Sequence, residues 1–136
     1  MATYDWGVDR TFKAAIDISA SQYYLVKAGS VAGECTINTT SAGSCLGVLQ
    51  NKPKATEEAT VRVLGFTKVR ANNEAAASPL NWGGFVKSGS DGMAIGYVDS
   101  TASKYGVGIM YDTSYTVAGS GIYVEIFVMP PFRVGA

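Results

Sequence analysis

The chain contains no histidine. That removes the commonest general base, the usual activator of a serine or cysteine nucleophile, and the commonest metal ligand. The acids left over are poorly placed for chemistry. Glu57-Glu58 is the only adjacent acid pair, and it lies in a polar stretch after Pro53. A glycosidase needs two carboxylates facing each other across a cleft. Asp91, before Gly92, and Asp112 stand alone in settings where Asp is a good turn former. No Gly-x-Ser-x-Gly or Ser-x-x-Lys sequence occurs. The glycine-rich stretches lack a Walker lysine. Gly119-Ser120-Gly121 leads into a strand and so offers no helix N-terminus to a phosphate. Cys35 and Cys45 could face each other across a hairpin turning at Thr40 to Gly43, where a disulfide is geometrically possible. With no export leader, two reduced thiols are expected instead. Two cysteines without histidine cannot complete a zinc shell. Asn38-Thr39-Thr40 is a formal glycosylation sequon, which means little without export. Trp82 could stack on a sugar or on a neighbouring subunit, but the expectation is that it plugs the junction between two halves of the chain. The reading is a protein that is not an enzyme, with no metal and no cofactor.

Composition narrows the partners. The 136 residues suit one domain. They are 47% apolar and only 16% charged, too apolar for a disordered chain and low in charge for a soluble monomer. Eleven cations balance eleven acids, so the self-repulsion that keeps proteins apart is missing. Eight tyrosines and two tryptophans suit interface cores. Self-association is therefore expected. The cations are scattered, without the basic patch that nucleic acid requires. No run of about 20 apolar residues is present to span a membrane. The N-terminus carries an early acid, Asp5, and no apolar leader segment.

The elements that must carry any function are strands. Leu25-Val26-Lys27-Ala28-Gly29-Ser30 returns as Phe85-Val86-Lys87-Ser88-Gly89-Ser90. Gly47-Val48-Leu49 returns as Gly108-Ile109-Met110, and Ala59–Leu64 is matched by Ile122–Phe127 at a spacing of 63. Ordered repeats at a slowly drifting spacing indicate a duplicated unit. Strand-like pieces fall near 22–27, 31–37, 44–50 and 59–70, then near 84–87, 93–98, 105–111 and 121–129. In each Val-Lys-x-Gly-Ser piece the glycine is expected to turn the chain with positive φ. Residues 1–14 read as an extended arm, in which Tyr4, Trp6 and Val8 share one face and Phe12 follows. Residues 15–136 read as a single β domain, with pseudo-repeats about 22–71 and 82–129.

The last strand of each unit differs. Val61, Val63 and Val69 form one face of the first, and Arg62, Leu64, Phe66, Lys68 and Arg70 form a cationic outer face. In the second, Ile122, Val124, Ile126 and Val128 form one face. Tyr123, Glu125, Phe127 and Met129 form another that is nearly as apolar. Such a strand is either central in the domain or sits at a subunit contact. Tyr123, Phe127 and Met129 are the expected oligomer contacts. Pro130-Pro131 is expected to end the strand by removing two donors.

The run from Gly47 to Val69 combines a Gly-Val-Leu strand, an Asn51-x-Pro53-x-Ala55 loop, an acidic turn and a Val61-x-Val63-x-Gly65-x-x-Lys68-Val69 strand. It resembles a segment of the capsid cement, or head decoration, proteins of tailed bacteriophages. Tyr24-Leu25-Val26-Lys27 and Gly108-Ile109-Met110 are similar to the same pattern, and the resemblance spans roughly residues 12–129. It implies an all-β protein, a small β-barrel or β-sandwich built from two similar β units with an extended N-terminal arm. It further implies a non-catalytic virion component, made in the host cytoplasm and bound to the capsid exterior. There it would stabilise the shell as a homotrimer held to the major capsid protein. The family supplies no catalytic residues, and its capsid contacts often involve a terminal arm. Tyr4, Trp6, Val8 and Phe12 are the expected capsid contacts here. The alternative is a carbohydrate- or receptor-binding β module of a virion appendage.

Overall fold

The computed structural model describes residues 7–40, 44–72, 80–96, 104–112 and 120–134. The chain is all-β. Its strands are β1 (Gly7–Ala14), β2 (Leu25–Ala28), β3 (Glu34–Ile37), β4 (Gly47–Leu49), β5 (Glu58–Asn72), β6 (Phe85–Ser88), β7 (Ala94–Gly96), β8 (Lys104–Met110) and β9 (Ser120–Val134). They form one sheet in the order β1-β3-β2-β4-β5-β7-β6-β8-β9, and β5 pairs again with both β1 and β9. The extra pairings fold the sheet into two five-stranded rings, β1-β3-β2-β4-β5 and β5-β7-β6-β8-β9. β5 belongs to both. Its N-terminal half pairs with β4 and β1, and its C-terminal half with β9 and β7.

The rings correspond pair for pair. Leu25↔Val48 in the first becomes Phe85↔Ile109 in the second, and Val48↔Arg62 becomes Ile109↔Phe127. Asp9↔Arg62 becomes Phe66↔Phe127. The first strand of ring two is therefore the second half of β5. By this register Val61 corresponds to Ile126, a spacing of 65 against the 63 suggested by matching letters. The difference is an even number, so the face assignment survives it. The repeated glycine of β4 and β8 has a steric cause. A Cβ at Gly47 would sit on the carbonyl oxygen of Arg62, and one at Gly108 on that of Phe127.

Each ring has a core, and the two cores interlock. Ala14, Ile18, Val26, Cys35, Leu49, Ala59 and Val61 fill ring one. Val69, Ala71, Val86, Met110, Val124, Ile126 and Val128 fill ring two, together with Leu25, Cys45 and Val48 from ring one. Alternation along the strand explains this. Val26 and Leu49 point into their own ring, while Leu25 and Val48, one residue away, point out of it into the other. Leu25 and Val48 are fully buried. Full burial of each is worth about 1.5–3 kcal/mol. Polar contacts reinforce the seam. The Leu25 N–H donates to the Gly92 carbonyl at 2.8 Å, and Asn38 Nδ2 donates to Ser88 Oγ at 2.7 Å. Asn38 is fully buried, so the sequon is no glycan acceptor in this fold.

Three expectations about the backbone differ from the structure. The arm of residues 1–14 is, from Gly7 onward, a strand of ring one. It runs antiparallel to β5 from Gly7↔Gly65 to Lys13↔Glu58 and parallel to β3 at Lys13 and Ala14. The β5 edge offers unpaired backbone groups that the segment satisfies. Pro130-Pro131 does not end β9, which continues to Val134. Gly108 pairs with Val128 but Gly106 pairs with Phe132, so Met129 to Pro131 bulge opposite Val107. Prolines lack an N–H and are tolerated where a bulge interrupts the ladder. Finally, positive φ falls on Gly33 and Gly92 at the far side of each hairpin, and not on Gly29 or Gly89. A Cβ at Gly29 would come within 3.0 Å of the Glu34 Cβ, and one at Gly89 within 3.1 Å of Asp91 Oδ1, so close approach explains these glycines instead.

Candidate functional site

The register of ring two places Phe85, Ile109, Phe127 and Phe66 in one row across β6, β8, β9 and β5. All four lie on the outward side of these strands, opposite the buried Val86, Met110, Ile126 and Thr67. Phe66 and Phe127 meet edge to face with centroids 5.0 Å apart. Tyr111 packs on Phe66 at 5.5 Å and leans on Phe127 at 6.3 Å. Trp82 packs edge-on against Tyr111 at 5.9 Å. This face is wet. Trp82 is 62% exposed and Phe85 45%. Trp82 therefore does not plug the junction between the halves; the buried Leu80 occupies the core there.

The corresponding row of ring one shows what such a face does when it is covered. Its members are Leu25, Val48, Arg62 and Asp9. Leu25 and Val48 are buried in ring two. Arg62 and Asp9 form an ion pair at 2.6 Å where ring two has the Phe66–Phe127 pair. Arg62 also donates through Nη1 to the Phe66 carbonyl at 2.6 Å. Ring two thus carries aromatic groups at three of the four positions of this row, and Ile109 at the fourth, where ring one is either covered or ionic.

Further along β5 the outward face turns cationic. Tyr23 and Tyr123 meet edge to face at 5.9 Å. The Lys68 ammonium lies 4.6 Å from the Tyr23 ring centre and 5.1 Å from that of Tyr123. The Arg70 guanidinium lies 4.9 Å from the Tyr123 ring centre and donates through Nη1 to the Tyr123 hydroxyl at 2.9 Å. Cation–π contacts of this kind hold the two cations against the sheet. Beside them a cleft of about 220 Å³ opens between the rings, with Gln22, Tyr24, Lys52, Arg70 and Tyr123 among its walls.

The residues singled out from the sequence scatter. Tyr4 and Trp6 lie outside the described residues. Val8 is 47% exposed on β1, whereas Phe12 packs against the ring-one core. Tyr123, Phe127 and Met129 all lie on the outward side of β9. The sequence did not single out Phe85, Ile109 and Tyr111 for this face. The repeat already set Phe85 against Leu25 and Ile109 against Val48, but it carries no signal of which member of each pair is covered. Glu57 accepts from the Lys54 N–H at 2.8 Å within its loop, and Asp91 accepts from the Met93 N–H at 3.0 Å, both local turn contacts. Cys35 and Cys45 are buried free thiols in different ring cores. Burial raises the pKa of both, that of Cys45 to about 11. Neither is poised as a nucleophile. Among the described residues no group of three His, Cys, Asp or Glu is placed to hold a metal.

In fold the chain is similar to the N base of the head fiber protein gp8.5 of bacteriophage phi29, known from a crystal structure. The TM-score is 0.56 at 17% sequence identity, over 90% of this chain and 94% of that one. At this identity the likeness is one of fold. No family model matches the chain. No curated protein matches it.

Proposed function

We propose that the chain is a structural protein of a tailed-phage virion that binds the outside of the assembled icosahedral head, through the major capsid protein, and stabilises it. The fold it shares with a phage head-fiber base, over nearly the whole of both chains, carries this reading. The aromatic face of ring two supports it, because an apolar face of this kind on so weakly charged a chain suits burial by partners. The same face, with Tyr123, Phe127 and Met129 on it, is proposed to join copies of the chain into a homotrimer. No catalytic step is involved. A ligand that binds the assembled shell and not its separated parts stabilises the shell by mass action. Three linked copies engage several capsid sites at once, so each contact can be weak.

Adding the purified protein to undecorated heads and following DNA release on heating tests the proposal. Saturable binding with a higher release temperature is expected. Binding without any rise would leave an appendage and remove the cement role, and no binding at all would refute the reading. The exposure of Trp82 favours a second reading, a carbohydrate- or receptor-binding module of the virion. Glycan-array binding that is lost in Trp82→Ala would support it, and an array without signal would count against it.

A further inference from the structure

We propose that the end of β9 is a donated strand, which seats in ring one of a second copy in the slot that β1 fills in the single chain. The register gives β1 and the second half of β5 the same slot in their rings. Thr11↔Thr60 in ring one becomes Lys68↔Glu125 in ring two, and the parallel contact Ala14↔Cys35 becomes Ala71↔Ala94. Ala14 and Ala71 are both fully buried. The spacing of 65 that relates Val61 to Ile126 runs on past the ring. Val61-x-Val63-Leu64 is answered by Ile126-x-Val128-Met129, and Lys68-Val69-x-Ala71 by Arg133-Val134-x-Ala136. The strand that opens a ring is therefore written three times, while the described residues close two rings.

The backbone of β9 agrees with that role. β5 passes from ring one to ring two at Gly65, where φ is 116°. The residue 65 positions later is Pro130, inside the bulge at Met129 to Pro131. Both strands break from their ring at the same point. Beyond it β5 has β9 on one edge and β7 on the other. Phe132 to Val134 pair, among the described residues, with β8 alone. A two-stranded ribbon is weak, and an unpaired edge accepts another strand. The slot in ring one suits exchange, because the side chains of β1 from Gly7 to Thr11 are exposed. On the face that carries Phe12 and Ala14, β1 offers the exposed Arg10. At the three equivalent positions the end of β9 would offer Phe132, Val134 and Ala136, apolar throughout. Exchange replaces one backbone ladder by another and adds apolar burial. This deepens the self-association proposed above and rests on it for the number of copies: three tails handed round in one direction close a cyclic trimer.

Paired cysteines test it. The register sets Arg133 of one copy against Thr60 of the next, where Thr11 stands within a single chain. The Thr60 N–H donates to Asn51 Oδ1 and its carbonyl accepts from the Gln50 N–H, both on the β4 side. Thr11↔Thr60 is therefore a pair without mutual hydrogen bonds, whose Cα atoms lie about 4.5 Å apart, within disulfide reach. Oxidised Arg133→Cys/Thr60→Cys should give covalent dimers and trimers on a non-reducing gel, and neither single variant should do so. The native Cys35 and Cys45 are buried and stay out of the reaction. Thr11→Cys/Thr60→Cys, oxidised at low protein concentration, locks β1 in its own ring. It should then scatter light as a 14.3 kDa monomer and regain the parent's oligomeric mass on reduction. No disulfide between chains in the first variant would overturn the donated strand. So would a locked variant that keeps the parent's mass, and that result leaves the aromatic face as the contact between copies. A tail that cross-links while Phe85→Lys keeps its oligomeric mass supports the donated strand and removes the face, so the two readings fail separately.

Discussion

Replacing Phe85 with lysine separates the proposed self-association from the folding of the monomer. Phe85 is 45% exposed, so about half of its side chain is already buried within one chain. Full burial of a phenylalanine is worth about 1.5–3 kcal/mol, so about 1 kcal/mol is at stake in the monomer. The four-carbon stem of lysine recovers part of that by lying along the same surface. The assembly loses more. Each copy forgoes the burial of the other half, again about 1 kcal/mol, and must desolvate an ammonium group at a further cost of about 2 kcal/mol or more. Three copies together lose about 9 kcal/mol, or roughly six orders of magnitude in the association constant. Phe127→Lys should act in the same direction but is less clean, because it also breaks the 5.0 Å pair with Phe66, worth about 0.5–1.5 kcal/mol to the monomer. Light scattering on a sizing column gives the mass directly. The expected result is a trimer for the parent chain and 14.3 kDa for Phe85→Lys, with urea midpoints close together. A variant that keeps the parent's oligomeric mass would refute the assignment of this face. So would a parent chain that is already monomeric at high concentration.

Two further outcomes follow from the core. Leu25→Ala should cost about 3–5 kcal/mol, since Leu25 is fully buried in the other ring. Both rings should still unfold in one transition, and separate transitions in tryptophan fluorescence and circular dichroism would show that the interlock is weak. Cys45 should stay unreactive to thiol reagents at pH 8 until the chain unfolds, because burial holds its pKa at about 11. The folded chain then retains a proton that the unfolded chain loses above about 9, so this stability is complete below pH 9 and falls by about 3 kcal/mol as pH rises to 11. Cys45→Ala should flatten that slope in denaturation measured across the range, and an equal slope in both proteins would contradict it.

The strand positions and their inward faces were legible in the letters, and so was the repeat. Each strand named from the sequence has a counterpart, within the margin at which strand ends are read. Val61 and Val69 on one side, and Val124 to Val128 on theirs, are buried as the period of two requires. The cationic outer face of β5 was visible too, but not its use. Lys68 and Arg70 read as part of a cationic outer face, and only the approach of Tyr23 and Tyr123, 45 residues or more away along the chain, gives them aromatic partners and sets Arg70 and Tyr123 in the wall of a cleft. Letters near one another report local geometry, and that cleft is assembled from four separate segments.

Sequence alone determined that this is a strand protein with two similar units and no histidine-based chemistry, because periodicity, turn residues and composition act locally and survive without neighbours. Tertiary structure decided how the units join. A single strand, β5, serves both rings, with its two halves paired to different neighbours. Nothing in the order of Glu58 to Asn72 specifies that division, because a backbone ladder accepts any partner that offers matching donors and acceptors. The same pairing turned residues 7–14 from an arm into a strand and let Pro130-Pro131 pass through β9 as a bulge. It also decided that Leu25 and Val48 are covered while Phe85 and its row are not. Equivalent positions of the repeat differ in exposure because the row of the first unit is seated in the second, whereas no described residue buries Phe85 in the row of the second.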